Sequence, residues 1–276
     1  MENTINYIIN DKSFTFNFEG DFEKGENTIL LDEDTNLLEK TSFNDVGYTI
    51  ASFLKPDENQ EFKAVVETII KNLILNNGGT LDENFTLEKY HKYVDNDLQL
   101  KIAKDIKNGW KQSDFNFNLE LINERISAII GQKVSTKAKD ESINDFYLRI
   151  VRPNCLQDNN PPHRDVWLDR LRNAVNIYHP ICGSTPDSAL PILPGSHKFK
   201  ESSLIRTAKG AVLNNTEYTV PCVIAVNDEP VKMIRPNPSE NQVLVFSPYL
   251  VHGGGYNTND DTTRISLEMR FWKVEE

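Results

Sequence analysis

The sequence has little cysteine: three residues in 276, Cys155, Cys182 and Cys222. An odd number at wide spacing builds no disulfide framework, and a reduced, cytoplasmic setting is the expectation. Long hydrophobic runs are also missing. The greasiest stretch, Ile69-Ile70 with Leu73-Ile74-Leu75, is interrupted by Lys71 and Asn72, whereas a bilayer-crossing helix needs about 20 mostly apolar residues in a row. The opening Met-Glu-Asn-Thr has no basic stretch followed by an apolar one, so no secretory leader is expected. Positive charge is the minority sign, 30 Lys and Arg against 41 Asp and Glu, for a net −11. Such a balance argues against a nucleic-acid groove.

What is present suits one globular core. A hydrophobic fraction of 38% with 26% charged residues is ordinary for a folded chain, and 276 residues bury enough surface to need no disulfide staple. The charge is unevenly spread. Residues 149–210 carry nine basic and five acidic side chains, a net +4 inside an acidic protein. Scatter on a solvated surface would produce this, and so would a segment that handles anions.

Helical periodicity dominates the first half and short strands the second. Asp57 opens a helix in which Phe62, Val65, Val66, Ile69, Ile70 and Leu73 recur at helical spacing, ended by Gly78-Gly79. Further helices are expected over 86–107 and 118–130, the latter closed by Gly131. From about Asp145 the pattern changes, with strands expected at 146–151, 173–181, 190–193, 218–225, 231–234, 242–246 and 264–272. Many short strands after a run of helices predict an α+β fold, a sandwich or jelly roll with helices packed on one sheet. Residues 1–41 read as an N-terminal extension of the same domain, a hairpin around the alternating Phe14-Thr15-Phe16-Asn17-Phe18.

Two histidines and one carboxylate stand out. In Pro161-Pro162-His163-Arg164-Asp165, extended chain would aim His163 and Asp165 to one side. His252 follows the apolar segment 243–246 and precedes Gly253-Gly254-Gly255, where the backbone can bend closely. A His-His-carboxylate triad binds non-haem Fe(II) and leaves coordination positions open. Arg264, opening the last strand, offers a planar fork for a carboxylate, and Ser266 lies on the same face. The set fits an enzyme that chelates a 2-oxo acid.

The ordered set His163-x-Asp165, His252 and Arg264-x-Ser266 resembles the iron and 2-oxoglutarate ligands of the Fe(II)/2-oxoglutarate-dependent oxygenases. Ala189-Leu190-Pro191-Ile192-Leu193-Pro194-Gly195-Ser196-His197, Asp45-Val46-Gly47-Tyr48 and Phe53-Leu54 resemble the phytanoyl-CoA dioxygenase family among them. The likeness runs over residues 42–274. It implies a cupin-like double-stranded β-helix over 42–276, with Fe(II) on His163, Asp165 and His252. It also implies 2-oxoglutarate and O2 as co-substrates, released as succinate and CO2 with an oxidised, usually hydroxylated, product. Related halogenases lack the carboxylate, so Asp165 implies hydroxylation, desaturation or ring chemistry. The family's usual tryptophan on the strand after the metal motif is replaced by Asn176, which places Asn176 at a co-substrate contact.

Other residues carry weaker expectations. Trp167, Arg149, Arg152 and Arg270 are candidates for the substrate pocket, with Arg170 and Arg172 following the metal loop. His197 is assigned to the Pro-Gly-Ser-His turn, His179 to a structural role and His91 to a solvated helix. On the last strand Ile265, Leu267, Met269 and Phe271 should pack against the helices, while Arg264, Ser266, Glu268 and Arg270 face into the roll. The partner implied is a small polar molecule, anionic if the basic segment lines the site, with neither nucleic acid nor membrane. The competing expectation is a jelly-roll binding module or cupin-like metalloprotein without oxygenase activity.

Overall fold

A computed structural model of the protein describes residues 3–107, 118–136 and 147–274. Its centre is β7 (Ala174–Cys182), a nine-residue strand buried along its whole length. Burial on both faces explains its near-continuous apolar sequence. It lies between β13 (Gln242–Phe246) and β14 (Arg264–Lys273) in a six-stranded sheet. The sheet continues from β13 to β4 (Tyr48–Ser52) and from β14 to β5 (Val134–Ser135) and β6 (Tyr147–Val151). Phe146, expected to open this last strand, lies outside the described residues.

Three helices cover one face of this sheet: α1 (Pro56–Asn76), α2 (Asn96–Lys107) and α3 (Leu119–Ile130). Phe62, Val66, Ile70 and Ile74 of α1 and Ile122, Ile126 and Ile130 of α3 bury a helical stripe against the sheet. They meet Ile265, Leu267, Met269 and Phe271 of β14 in one apolar cluster. The alternation of the last strand is thus obeyed, leaving Arg264, Ser266, Glu268 and Arg270 for the interior. Local chemistry sets the helix ends. Pro56 starts α1, and the Glu58 carboxylate accepts the Lys55 N–H at 2.8 Å. Asn118 caps α3 by accepting from Glu120 and Leu121, and Gly131 ends it in the left-handed region.

The second wall of the roll has five strands, in the order β10 (Thr216–Tyr218), β9 (Ala211–Leu213), β2 (Lys12–Glu19), β1 (Asn3–Ile9), β12 (Val231–Met233). The N-terminal hairpin therefore supplies two strands to this wall, and Ile5, Tyr7, Ile9, Phe16 and Phe18 fill a second apolar cluster with Leu204, Val223 and Val231. A third sheet pairs β3 (Phe22–Lys24), β8 (Leu204–Thr207) and β11 (Val223–Val226). Apart from the parallel pair β1–β12, the described ladders are antiparallel. The α+β jelly roll is the expected fold class.

Several local expectations are corrected. The helix expected over 86–107 is two elements, a 3-10 turn over Leu87–Lys92 and then α2, because the Asp95 side chain accepts the Leu98 N–H and starts a new helix. The strand expected at 190–193 is reduced to single bridges at Ile192, since Pro191 and Pro194 have no N–H to give a ladder. Pro221 likewise divides the strand expected at 218–225. Strands β8 and β9 have no counterpart among those expected.

Candidate active site

His163 and His252 are brought together by backbone. The His163 N–H donates to the His252 carbonyl at 2.8 Å, and the His252 N–H to the His163 carbonyl at 3.0 Å. Their rings stand 4.5 Å apart. Close approach needs Gly253, with φ +101°, because a Cβ there would lie 2.7 Å from the Pro161 carbonyl and 3.1 Å from His163 Nδ1. Asp165 begins a short 3-10 turn and donates its N–H to the Pro248 carbonyl at 3.1 Å.

The three side chains converge. Asp165 Oδ1 lies 3.3 Å from His163 Nε2 and 3.7 Å from His252 Nε2. One ligand atom from each residue falls within 4.8 Å of the others. His163 Nδ1 faces the Pro161 carbonyl at 2.8 Å and His252 Nδ1 the Leu250 carbonyl at 2.9 Å. Each Nδ1 is therefore the protonated nitrogen, and each Nε2 presents a bare lone pair inward. Burial pushes the His252 imidazole down to about 4, against the opposing pull of Asp165. Burial alone would raise the Asp165 carboxyl, but the neighbouring Arg270 guanidinium outweighs it and holds it well below the usual carboxylate range. Two imidazole nitrogens and one ionised carboxylate at these distances form a facial donor set for a divalent transition metal.

The triad opens into a cavity of about 320 Å³. Arg264 lines it, 2% exposed, with Nη1 donating to Ser266 Oγ at 2.8 Å and the guanidinium over the Tyr178 ring at 5.6 Å. No carboxylate among the described residues lies within ion-pair distance of it, and its Nε has no partner. Glu268 faces the same cavity, 3.5 Å from Arg149 and 3.9 Å from Arg270. Burial would raise its carboxyl, but Arg149, Arg270 and Arg264 hold it below its ordinary value.

The structure gathers most of the expected residues. Trp167 walls the cavity, its indole N–H on Glu201 Oε2 at 3.0 Å and its face under Arg206 at 4.9 Å. Arg149, Arg170 and Arg270 also line it. Arg152 does not. Its fork is engaged by the buried Asp158 at 2.8 and 2.9 Å, which corrects its candidacy as a substrate residue. Asn176 is buried beside the triad rather than in the cavity wall, and its amide donates to Asp165 Oδ2 at 2.8 Å. Arg172 pairs with Asp169.

The remaining histidines are structural. His197 Nε2 faces the Asn44 carbonyl under Gly47, and His179 packs against Phe53 and bonds the Gln242 carbonyl. His91 is not solvated as expected: it is half-buried, with Nδ1 on Thr263 and Nε2 on Asp261, tying the 3-10 turn to the residue before Arg264. Reasoning from sequence missed the pair of Arg164 with Glu201, fully buried behind the metal loop, where Arg164 also donates to the Ser196 carbonyl. The basic residue inside His-Arg-Asp was the only signal, and its partner is 37 residues away.

A family model for phytanoyl-CoA dioxygenase (PhyH) matches residues 43–266. The chain belongs to this family. It is thus an Fe(II)/2-oxoglutarate-dependent dioxygenase by family, with His163, Asp165 and His252 as its Fe(II) triad. Solved structures with similar folds include AviO1 from Streptomyces viridochromogenes Tue57, at 17% identity over 89% of this chain and 97% of that one, TM-score 0.49. EctD from S. alaskensis, solved with 2-oxoglutarate and 5-hydroxyectoine, is 14% identical over 93% and 85%, TM-score 0.47. SnoN, a non-haem α-ketoglutarate-dependent epimerase from nogalamycin biosynthesis, is 11% identical over 84% and 79%, TM-score 0.41. No curated protein sequence gives a match. No helix among the described residues is long and apolar enough to cross a membrane.

Proposed function

We propose that this dioxygenase hydroxylates a small polar, anionic metabolite, with 2-oxoglutarate held by Arg264 and Ser266. The observation that carries the reading is Arg264: a buried guanidinium in the triad's own cavity with no carboxylate within ion-pair distance among the described residues. A buried guanidinium with no carboxylate paired to its fork is costly, and the distal carboxylate of a 2-oxo acid fits that fork in a bidentate geometry. Bound at the triad, Fe(II) would supply the redox chemistry that combines 2-oxoglutarate, O2 and a C–H bond into succinate, CO2 and an alcohol.

The chain's own groups do the rest. The Arg264 fork fixes the oxo acid, and Ser266 Oγ, which accepts from Arg264 Nη1, holds the fork in its plane. Leu190 and Trp167 in the cavity wall keep water from the reacting carbon. Arg149 and the exposed Arg170 give the cavity a positive face suited to a substrate carboxylate or phosphate. The test has two stages. Adding 2-oxoglutarate to the anaerobic Fe(II) protein should produce a visible charge-transfer band. A screen of anionic and neutral metabolites under O2 should then give succinate in step with an oxidised product. No band with 2-oxoglutarate would dismiss the co-substrate, and a neutral preferred substrate would dismiss the anionic class.

A further inference from the structure

The two oxygens of Asp165 have different surroundings. Oδ1 faces the histidines, 3.3 Å from His163 Nε2 and 3.7 Å from His252 Nε2. Oδ2 points away and accepts two hydrogen bonds, from Asn176 Nδ2 at 2.8 Å and from Arg270 Nη2 at 3.0 Å. Asn176 and Arg270 are direct Cα partners on adjacent strands β7 and β14. Residues opposite each other in a ladder project to one face with their Cβ atoms about 5 Å apart. One rung of the central sheet therefore aims an amide and a guanidinium at the same oxygen.

We infer that Asn176 and Arg270 are a clamp that makes Asp165 a one-oxygen ligand, presenting Oδ1 to the metal and withholding Oδ2. A carboxylate that bound through both oxygens would have to give up both hydrogen bonds, one of them charge-assisted, and strand two buried donors. Holding Oδ2 keeps one more coordination position free for the co-substrates. The clamp is itself braced. Arg270 lies over the Tyr147 ring at 5.3 Å and 3.9 Å from Glu268, which Arg149 approaches at 3.5 Å from the other side. Asn176 is 1% exposed on a strand buried throughout. Arg270 is thereby a positioning residue rather than a ligand of substrate or oxo acid. The amide at position 176 has a role in place of the contact expected from the family pattern. The inference rests on the triad and not on the proposed substrate.

Co(II) binding to the metal-free protein tests it without turnover. Outer-shell partners of metal ligands are typically worth 10–100-fold in affinity. Asn176→Ala and Arg270→Ala should each weaken Co(II) binding by about that factor and change the Co(II) d–d spectrum, as the carboxylate loses one of the two bonds that orient it. Arg270→Lys should recover part of the affinity. The sign for Arg270→Ala is decisive, because removing a cation beside a metal site strengthens metal binding if the residue acts only through its charge. Tighter Co(II) binding by Arg270→Ala, or unchanged affinity and spectrum in Asn176→Ala, would overturn the clamp. Asn176→Ser, which keeps a short donor in a smaller side chain, serves if Asn176→Ala does not fold: weaker binding with a changed spectrum supports the clamp, and no change in either overturns it. Thermal melts of the metal-free variants establish folding. His252→Ala, which removes a ligand outright, marks the loss expected if the site itself fails.

Discussion

His163 and His252 hold each other through two backbone hydrogen bonds, 2.8 and 3.0 Å long, so the two metal-binding imidazoles are fixed by main chain before any metal arrives. Gly253 permits that contact, and its replacement tests how much the site depends on it. In Gly253→Ala the new Cβ would press on the Pro161 carbonyl at 2.7 Å from a residue with φ +101°. The expected cost is about 2–3 kcal/mol of stability together with a clear loss of metal affinity. Gly131→Ala is the control. Gly131 has φ +72° with nothing within 4 Å of a Cβ, so it should lose about 1–2 kcal/mol and bind Co(II) normally. Equal metal affinity in the two variants would show that the histidine bridge does not depend on the glycine.

Arg164 anchors the loop between the first two ligands from behind. Its guanidinium reaches Glu201 and the Ser196 carbonyl in a fully buried setting. Its loss leaves the buried Glu201 carboxylate with only the Trp167 indole N–H at 3.0 Å and Arg206 at 3.8 Å, and breaking a buried pair costs about 3–5 kcal/mol. Arg164→Met should therefore lower the urea midpoint sharply, and adding Glu201→Gln should restore much of the loss. If the double variant is as unstable as the single, the under-compensated Glu201 charge is not the cause.

The parts of the site visible in the sequence are those whose partners are close along the chain or repeat with a period. His163 and Asp165 are two residues apart, and the alternation of β14 assigns Arg264, Ser266, Glu268 and Arg270 to the interior without any knowledge of the fold. Caps carry their own signal too, as Asn118 and Gly131 do for α3. Partnerships across the fold carry none. Arg152 and Arg270 are the same residue type, yet Asp158 takes the fork of one while Asp165 and Glu268 face the other. Asn176 became legible only once β7 and β14 were in register. His91 looks solvated in a polar helix and is bonded because Asp261 and Thr263 arrive from 170 and 172 residues away.

His179 gives the fold a pH dependence separate from the metal. Burial pushes its imidazole down to about 4, while the unfolded chain titrates near 6.5. Between those values the unfolded chain binds a proton that the folded chain refuses. The stability present above pH 6.5 is therefore lost as pH falls toward 4, by roughly 2–3 kcal/mol, and the loss levels off below that. His179→Asn keeps a donor for the Gln242 carbonyl, now 2.9 Å from the ring nitrogen, but does not titrate. Urea midpoints of the metal-free proteins from pH 7 to 4 should fall less steeply for the variant. Parallel curves would assign the acid loss to other groups.

Arg264 and the co-substrate carry the largest expected effect. The guanidinium is buried, held by Ser266 and Tyr178, and has no carboxylate within ion-pair distance among the described residues. In Arg264→Ala the oxo acid's distal carboxylate would lose two charge-assisted hydrogen bonds, each worth roughly 1.5–3 kcal/mol. The apparent KM for 2-oxoglutarate in uncoupled turnover should rise by two orders of magnitude or more, since about 1.4 kcal/mol is tenfold. Arg264→Lys should recover part of this, because an ammonium is a point charge without the fork. Both variants should bind Fe(II) like the parent, as Arg264 is not among the converging ligand atoms. The two measurements separate the anchor from the metal site. A raised KM at normal iron content assigns the oxo acid to Arg264. An unchanged KM would move the anchor elsewhere in the cavity, with the exposed Arg170, which no described carboxylate faces, as the next residue to substitute.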